Sequence, residues 1–199
     1  QSKVTGEASL TATWVLSVGT TKERGSRTLV FMTIGIIGAG AAGLMTAATI
    51  LGLHPSARVI LVEKNDGLGK KVIISGGGRC NVTTGIHDIR AVLTKYPRGG
   101  KFLSSAMYNF PPEAVYAWFE AHGVPLNTEE DLRVFPQSNN GKDIVRVFET
   151  LFNDARIEIL LKAHVTGVEK QGDVFVLTIK DREAPLLVDK LVLTTGGQA

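Results

Sequence analysis

Gly38-Ala39-Gly40-Ala41-Ala42-Gly43 places three glycines at the spacing used to cradle a dinucleotide. Alone, that spacing is a weak signal. Here it follows an apolar run, residues 33–37, and opens an alanine-rich stretch, residues 41–53. Glu63 stands 20 residues beyond Gly43 and closes a second apolar run that begins at Arg58. In this context each residue type has a physical task. Gly38 permits a tight turn, and Gly40 lets a pyrophosphate approach the backbone. Gly43 lets a helix lie against a strand, and Ala39, Ala41 and Ala42 complete the fingerprint with small side chains. The helix N-terminus offers free N–H groups and partial positive charge to phosphates. Glu63 can accept hydrogen bonds from ribose hydroxyls, and its charge repels a 2′-phosphate. The competing reading is a glycine-rich helix start that serves packing alone.

A second constellation is Gly67-Leu-Gly-Lys-Lys71 followed by Ser75-Gly-Gly-Gly-Arg-Cys-Asn81. Consecutive glycines with Arg79 and Asn81 suit a loop folded around a ligand, with Gly77 and Gly78 at its centre. Lys70, Lys71 and Arg79 can bring positive charge to phosphates. The alternative is a solvated loop. Cys80 beside Arg79 is either a thiol activated by nearby charge or a small packed residue. Thr194-Thr195-Gly196-Gly197 follows an apolar strand and reads as a third backbone approach or a simple turn. His54, His87, His122 and His164 lack metal-ligand spacing, so no metal site is expected. No residue can be assigned as a catalytic acid, base or nucleophile.

The elements that must position these residues are legible. Runs 33–37 and 58–63 read as buried strands joined by a helix over 41–53, a βαβ unit and hence a parallel sheet covered on both faces. Residues 64–84 read as a loop. Helices are expected at 87–95, at 100–108, from Pro112 to about His122, and at 141–154, the last capped by Ser138 or Asn140. An extended piece is expected at 132–136. Strands follow at 157–161, 164–170, 173–180 and 190–195, with a hairpin turn at Gln171-Gly172-Asp173.

With 199 residues the chain makes one domain, or one and a half. Hydrophobic residues at 44% and charged residues at 21% exclude a collagen-like or wholly disordered chain. Lys and Arg number 22 against 19 Asp and Glu; the resulting +3 is too small to argue for nucleic acid. One cysteine excludes an intramolecular disulfide and fits a reducing, cytoplasmic setting. Residues 28–57 carry no charge and are long enough to span a bilayer. Gly35, Gly38, Gly40 and Gly43 argue against that, so no membrane partner is expected. The first methionine is Met32, and residues 1–31 are expected to be an extension outside a domain that occupies 32–199. A strand followed by a glycine pair normally leads onward, so the domain is expected to be incomplete at Ala199.

Together these motifs resemble the BaiN/YhiN-like NAD(P)/FAD-dependent oxidoreductases, flavoproteins of the glutathione-reductase-like group. The matching residues are Ile36 to Leu44, Glu63-Lys64, Gly69-Lys-Lys71, Ser75 to Thr83, Leu132-Arg-Val-Phe-Pro136 and Leu191 to Gly197. The Ser75–Asn81 segment is the most specific of them. The resemblance implies an α/β, Rossmann-like FAD-binding domain with a parallel sheet and a small antiparallel β-meander. It implies FAD as cofactor, NAD(P)H as electron donor and a small-molecule substrate, including enones of steroid-type acids. It places Glu63, with Lys64 beside it, at the adenosine ribose, and residues 40–43 at the pyrophosphate. Lys70, Lys71 and residues 77–81 would run towards the flavin. The backbone of Val165 would meet adenine, and Thr195 and Gly196 would line the same pocket. Thr194 departs from the family, which usually has alanine there, and the family's chains are about twice as long, carrying a substrate domain and a C-terminal flavin motif absent here. Two other readings stay open: a non-catalytic FAD- or nucleotide-binding module, and a flavoprotein acting on RNA. The small net charge and the lack of a dense basic face argue against the latter.

Overall fold

The computed structural model describes residues 32–197; the extension expected at 1–31 lies outside them. Strand β1 (Met32–Ile37) is buried from Ile34 to Ile37 without alternation, as a strand covered on both faces must be. Helix α1 (Ala41–Leu53) returns antiparallel to it and buries Gly43, Leu44, Ala47 and Leu51, one stripe at helical spacing. It ends at His54, whose N–H donates to the Ile50 carbonyl, just before Pro55. Strand β2 (Ala57–Val62) then pairs parallel with β1, with Ile37 beside Val62.

From β2 the chain leaves the sheet for a long excursion before returning as β6 (Ile157–Leu160). It passes through α2 (Lys70–Ile74), a 3-10 turn at Ser75–Gly78, β3 (Thr83–Thr84), α3 (Ile89–Thr94), α4 (Gly100–Asn109), α5 (Pro112–Ala121), β4 (Leu126–Thr128), β5 (Arg133–Pro136) and α6 (Gly141–Leu151). β3, β5 and β4 form a small antiparallel sheet. The loop expected at 64–84 is therefore partly helical. Gly69, in the left-handed region at φ 58°, turns the chain into α2, a conformation glycine adopts without strain. Asn140 caps α6 by accepting from the Lys142 N–H at 3.1 Å. Ile144, Val145, Val147 and Phe148 of that helix are buried.

After β6 comes the antiparallel meander β7 (Val165–Gln171), β8 (Val174–Ile179) and β9 (Leu186–Val188), with Gly172 at φ 59° in the hairpin. β10 (Lys190–Leu193) closes the parallel sheet in the order β10–β1–β2–β6. One face of this sheet packs on α1, α5 and α6 through Leu44, Leu61, Phe119 and Phe148. The other face packs on the meander through Ile37, Ile60, Val62, Leu177, Ile179 and Val188. From β1 the chain moves to one side, to β2 and then β6, and returns on the other side of β1 as β10. The carboxyl ends of β1, β2 and β10 thus flank a switch point, where open α/β sheets bind ligands.

Candidate functional site

The glycines of the β1–α1 turn differ in what surrounds them. A Cβ on Gly43 would lie 1.9 Å from the Gly38 carbonyl oxygen and 2.8 Å from Thr194 Oγ1. Gly38 has φ 103°, and a Cβ there would lie 2.5 Å from the Thr194 carbonyl oxygen. Gly40 has nothing within 4 Å of such a Cβ. Two of the three are thus fixed by packing and the third faces open space. The first intrahelical bond of α1 runs from Leu44 N–H to the Gly40 carbonyl at 2.9 Å. The N–H groups of residues 41–43 precede it, and no acidic residue lies in that turn.

Glu63 is 7% exposed and is a buried charged side chain at the end of β2. Its Oε2 accepts from the Ala39 N–H at 2.7 Å. Its Oε1 accepts from the Asn65 N–H at 2.8 Å and from Asn65 Nδ2 at 2.6 Å. A carboxylate offers about four acceptor positions, so one remains for a ligand. Glu63 therefore ties the glycine turn to β2 as well as facing the crevice. Glu63→Ala would strand a buried Ala39 N–H and both Asn65 donors. We expect a loss of about 3 kcal/mol in urea unfolding, since each unsatisfied buried donor costs about 1–3 kcal/mol. Glu63→Gln should lose less, because it keeps one oxygen in place.

The crevice opens into a cavity of about 730 Å³, within the size range of cofactor sites. Gly38, Ala39, Gly40, Ala41, Ala42, Glu63, Lys64, Lys70, Lys71, Cys80, Asn81, Val165, Thr195 and Gly196 all line it. So do Thr194, from the third glycine-bearing segment, and Asn65, Ala163 and His164, none of which was expected at the crevice. Apolar lining comes from Met45, Val72, Val82, Phe110, Val115, Phe119, Ile144 and Phe148. The Thr194 hydroxyl lies 2.9 Å from the Ile37 carbonyl oxygen and 2.8 Å from that of Gly38, donating to this pair and joining β10 to the glycine turn. An alanine at 194 could not make that link.

Gly43, Gly77, Gly78 and Arg79 do not line the cavity. Gly43 packs from within α1 against the Gly38 carbonyl, as described. Gly77 and Gly78, at φ 71° and 87°, face open space. Arg79 lies 3.8 Å above the Phe135 ring and pairs with Glu129 at 2.5 Å. An aromatic face and a carboxylate together hold its guanidinium away from the crevice. Gly76 fits beneath the same ring: a Cβ there would lie 2.8 Å from Phe135. Arg79 thus anchors the glycine loop from behind.

Lys70 pairs with Asp66, whose carboxyl is held below its usual range by that hydrogen bond and charge. Lys64 and Lys71 are exposed and make no ion pair among the described residues. They are the cavity-lining cations available to an anion. Cys80 is buried at φ 61°, and burial pushes its thiol up, only partly offset by a hydrogen bond with Ser75. At neutral pH it is a thiol rather than a thiolate, which argues for the packed reading over the activated one. Alkylation by iodoacetamide at pH 8 should be at least about tenfold slower in the native than in the urea-unfolded protein. Equal rates would contradict this placement.

No helix among the described residues is long and apolar enough to cross a membrane. The sequence matches the HI0933-like protein Rossmann domain over residues 32–199. It is 30% identical over 162 residues to the ribosomal RNA dihydrouridine synthase of Escherichia coli, covering 81% of this chain and 38% of that protein. It is 24% identical over 166 residues to the 3-dehydro-bile acid delta(4,6)-reductase of Clostridium scindens, covering 83% of this chain and 39% of that protein. The chain therefore spans about two-fifths of the length of these relatives. Among solved structures, Escherichia coli quinol fumarate reductase FrdA superposes with a TM-score of 0.60 at 16% identity, over 84% of this chain and 33% of that one. Thermovibrio ammonificans THI4 superposes with a TM-score of 0.52 at 11% identity, over 85% and 59%. These two likenesses concern the fold. The first relative's name refers to RNA and the second's to a bile acid, each a statement about that protein.

Proposed function

The chain belongs to the HI0933-like Rossmann-domain family, and from that premise we propose that it is the dinucleotide-binding part of an FAD-dependent oxidoreductase. The observation that carries this reading is the open space at Gly40 before the free N–H groups of α1, with Glu63 across the crevice. The residues fit the cofactor: a side chain at 40 would fill the cradle, and the chemistry of the donors suits a pyrophosphate. When bound, FAD supplies the hydride-accepting and hydride-donating centre. The N–H groups of Ala41 and Ala42, which line the cavity, would hold the pyrophosphate, with Lys64 and Lys71 neutralising its charge. Glu63 would accept one ribose hydroxyl at its remaining position. Thr195, Gly196 and Val165 would border the adenosine, and Cys80 and Asn81 the part towards the flavin.

A nicotinamide nucleotide is the proposed electron donor. One relative is named as a reductase of bile acids and another as a synthase of dihydrouridine in RNA. A dihydro product requires added hydrogen, so a reductive role is common ground. The proposed substrate is an unsaturated ring, in a small molecule or in RNA. A non-catalytic binding module is the rival reading, and anaerobic addition of NADH or NADPH to the FAD-loaded protein separates the two. Bleaching of the visible flavin band supports the reductase; a band unchanged by either nucleotide supports the module.

A further inference from the structure

Residues 89–112 hold Arg90, Lys95, Arg98 and Lys101 and no Asp or Glu. These four charges exceed the net charge of the whole chain, +3, so the other residues together are net −1. All four are exposed, and none makes an ion pair among the described residues. They sit on α3, on α4 and on the turn between them, where Gly99 is at φ 82°. The same hairpin is poorly covered by the rest of the protein. α4 buries no residue, and α3 buries only Val92. Aromatic rings stand out beside the cations: Phe102 is 87% exposed, Tyr108 56%, Tyr96 41% and Phe110 37%.

We propose that the α3–α4 hairpin is a docking surface for single-stranded RNA. Asp88 caps α3 by accepting from the Arg90 N–H at 2.9 Å but makes no ion pair with any of the four cations. Lys and Arg side chains left unpaired in this way attract a phosphate backbone, and exposed rings stack on unpaired bases. A purely apolar partner would leave four cations to desolvate without a counter-charge. Phe110 directly follows α4 and also lines the large cavity. A strand lying on the hairpin would therefore lead to the mouth of the proposed flavin site. The inference deepens the reductase reading by giving an RNA substrate its surface, and it rests on that reading for its catalytic meaning.

The test is fluorescence anisotropy of a short, labelled, mixed-sequence single-stranded RNA, titrated with the protein across a salt series. Four neutralised phosphates give a log–log salt slope of roughly −2.8, hence about 50-fold weaker binding at 200 mM than at 50 mM salt. A variant combining Arg90→Gln, Lys95→Gln, Arg98→Gln and Lys101→Gln should flatten that slope and lose most of the affinity. Phe102→Ala should weaken binding by about tenfold with the slope unchanged. RNA binding that survives the fourfold change with the same slope overturns the proposal. So does preferential binding, through these residues, to phosphatidylserine vesicles, or a dimer abolished by Phe102→Ala with RNA binding intact. FAD retention, measured in parallel on the same variants, should not change. Lost RNA binding in the wild type with retained FAD strikes this inference alone; lost FAD with retained RNA binding strikes the cofactor reading alone.

Discussion

Gly43→Ala should destabilise the protein by about 3 kcal/mol or more, at the upper end of what overpacking costs. The added methyl would meet the Gly38 carbonyl oxygen at 1.9 Å, and that atom belongs to backbone fixed by β1. Thr194 Oγ1, at 2.8 Å, closes the other side. No rotamer change relieves the contact, so α1 must leave β1 and its apolar stripe must separate from Ile36 and Leu61. Against a total stability of about 5–15 kcal/mol this is a large fraction. Gly52→Ala supplies the control. It lies in the same helix with nothing within 4 Å of its new Cβ, and should stabilise by about 0.5 kcal/mol through helix propensity. Urea midpoints for the two variants should therefore move in opposite directions. Equal shifts would mean that α1 does not pack on the turn as described.

Gly40→Val should do the reverse: leave the fold in place and remove dinucleotide binding. Gly40 has φ −78° and ψ −170°, extended backbone open to any residue, and its Cβ position is empty. Losing glycine as N-cap should cost no more than about 1 kcal/mol. The isopropyl group would stand in front of the first-turn N–H groups and keep a phosphate from them. Hydrogen bonds to a charged group contribute about 1.5–3 kcal/mol each. Affinity for FAD should fall at least about 100-fold, equivalent to about 2.7 kcal/mol. Isothermal titration with FAD reads the affinity, and a far-UV spectrum reads the fold. A Gly40→Val protein that binds FAD as tightly as the wild type would place the nucleotide elsewhere.

The parallel βαβ unit was legible because its residues carry it locally. The β-branched runs of β1 and β2 and the small residues of α1 each favour the element they occupy. Glu63 was legible by its distance from the glycine turn, yet its bonds to Ala39 and Asn65 depend on the pairing of β1 with β2. Arg79 misled because Phe135 and Glu129, which hold it, lie about 50 residues further on. α2 was hidden because a left-handed Gly69 reads as loop composition. β4 and β9 have three residues each, too few for a period of two to show. Thr194 departs from the family's usual alanine, and what it does follows only from the pairing of β10 with β1, which brings its hydroxyl to two carbonyl oxygens. The basic character of the α3–α4 hairpin was obscured by charge summed over the whole chain.

The crevice at the ends of β1, β2 and β10 is where we propose that FAD binds. The most direct test is the visible spectrum of the protein after incubation with FAD and gel filtration, run beside Gly40→Val. Flavin that co-elutes with the wild type and not with the variant, both with a folded far-UV spectrum, is the expected result. A folded wild type that elutes without flavin, or a variant that retains as much flavin as the wild type, would contradict it.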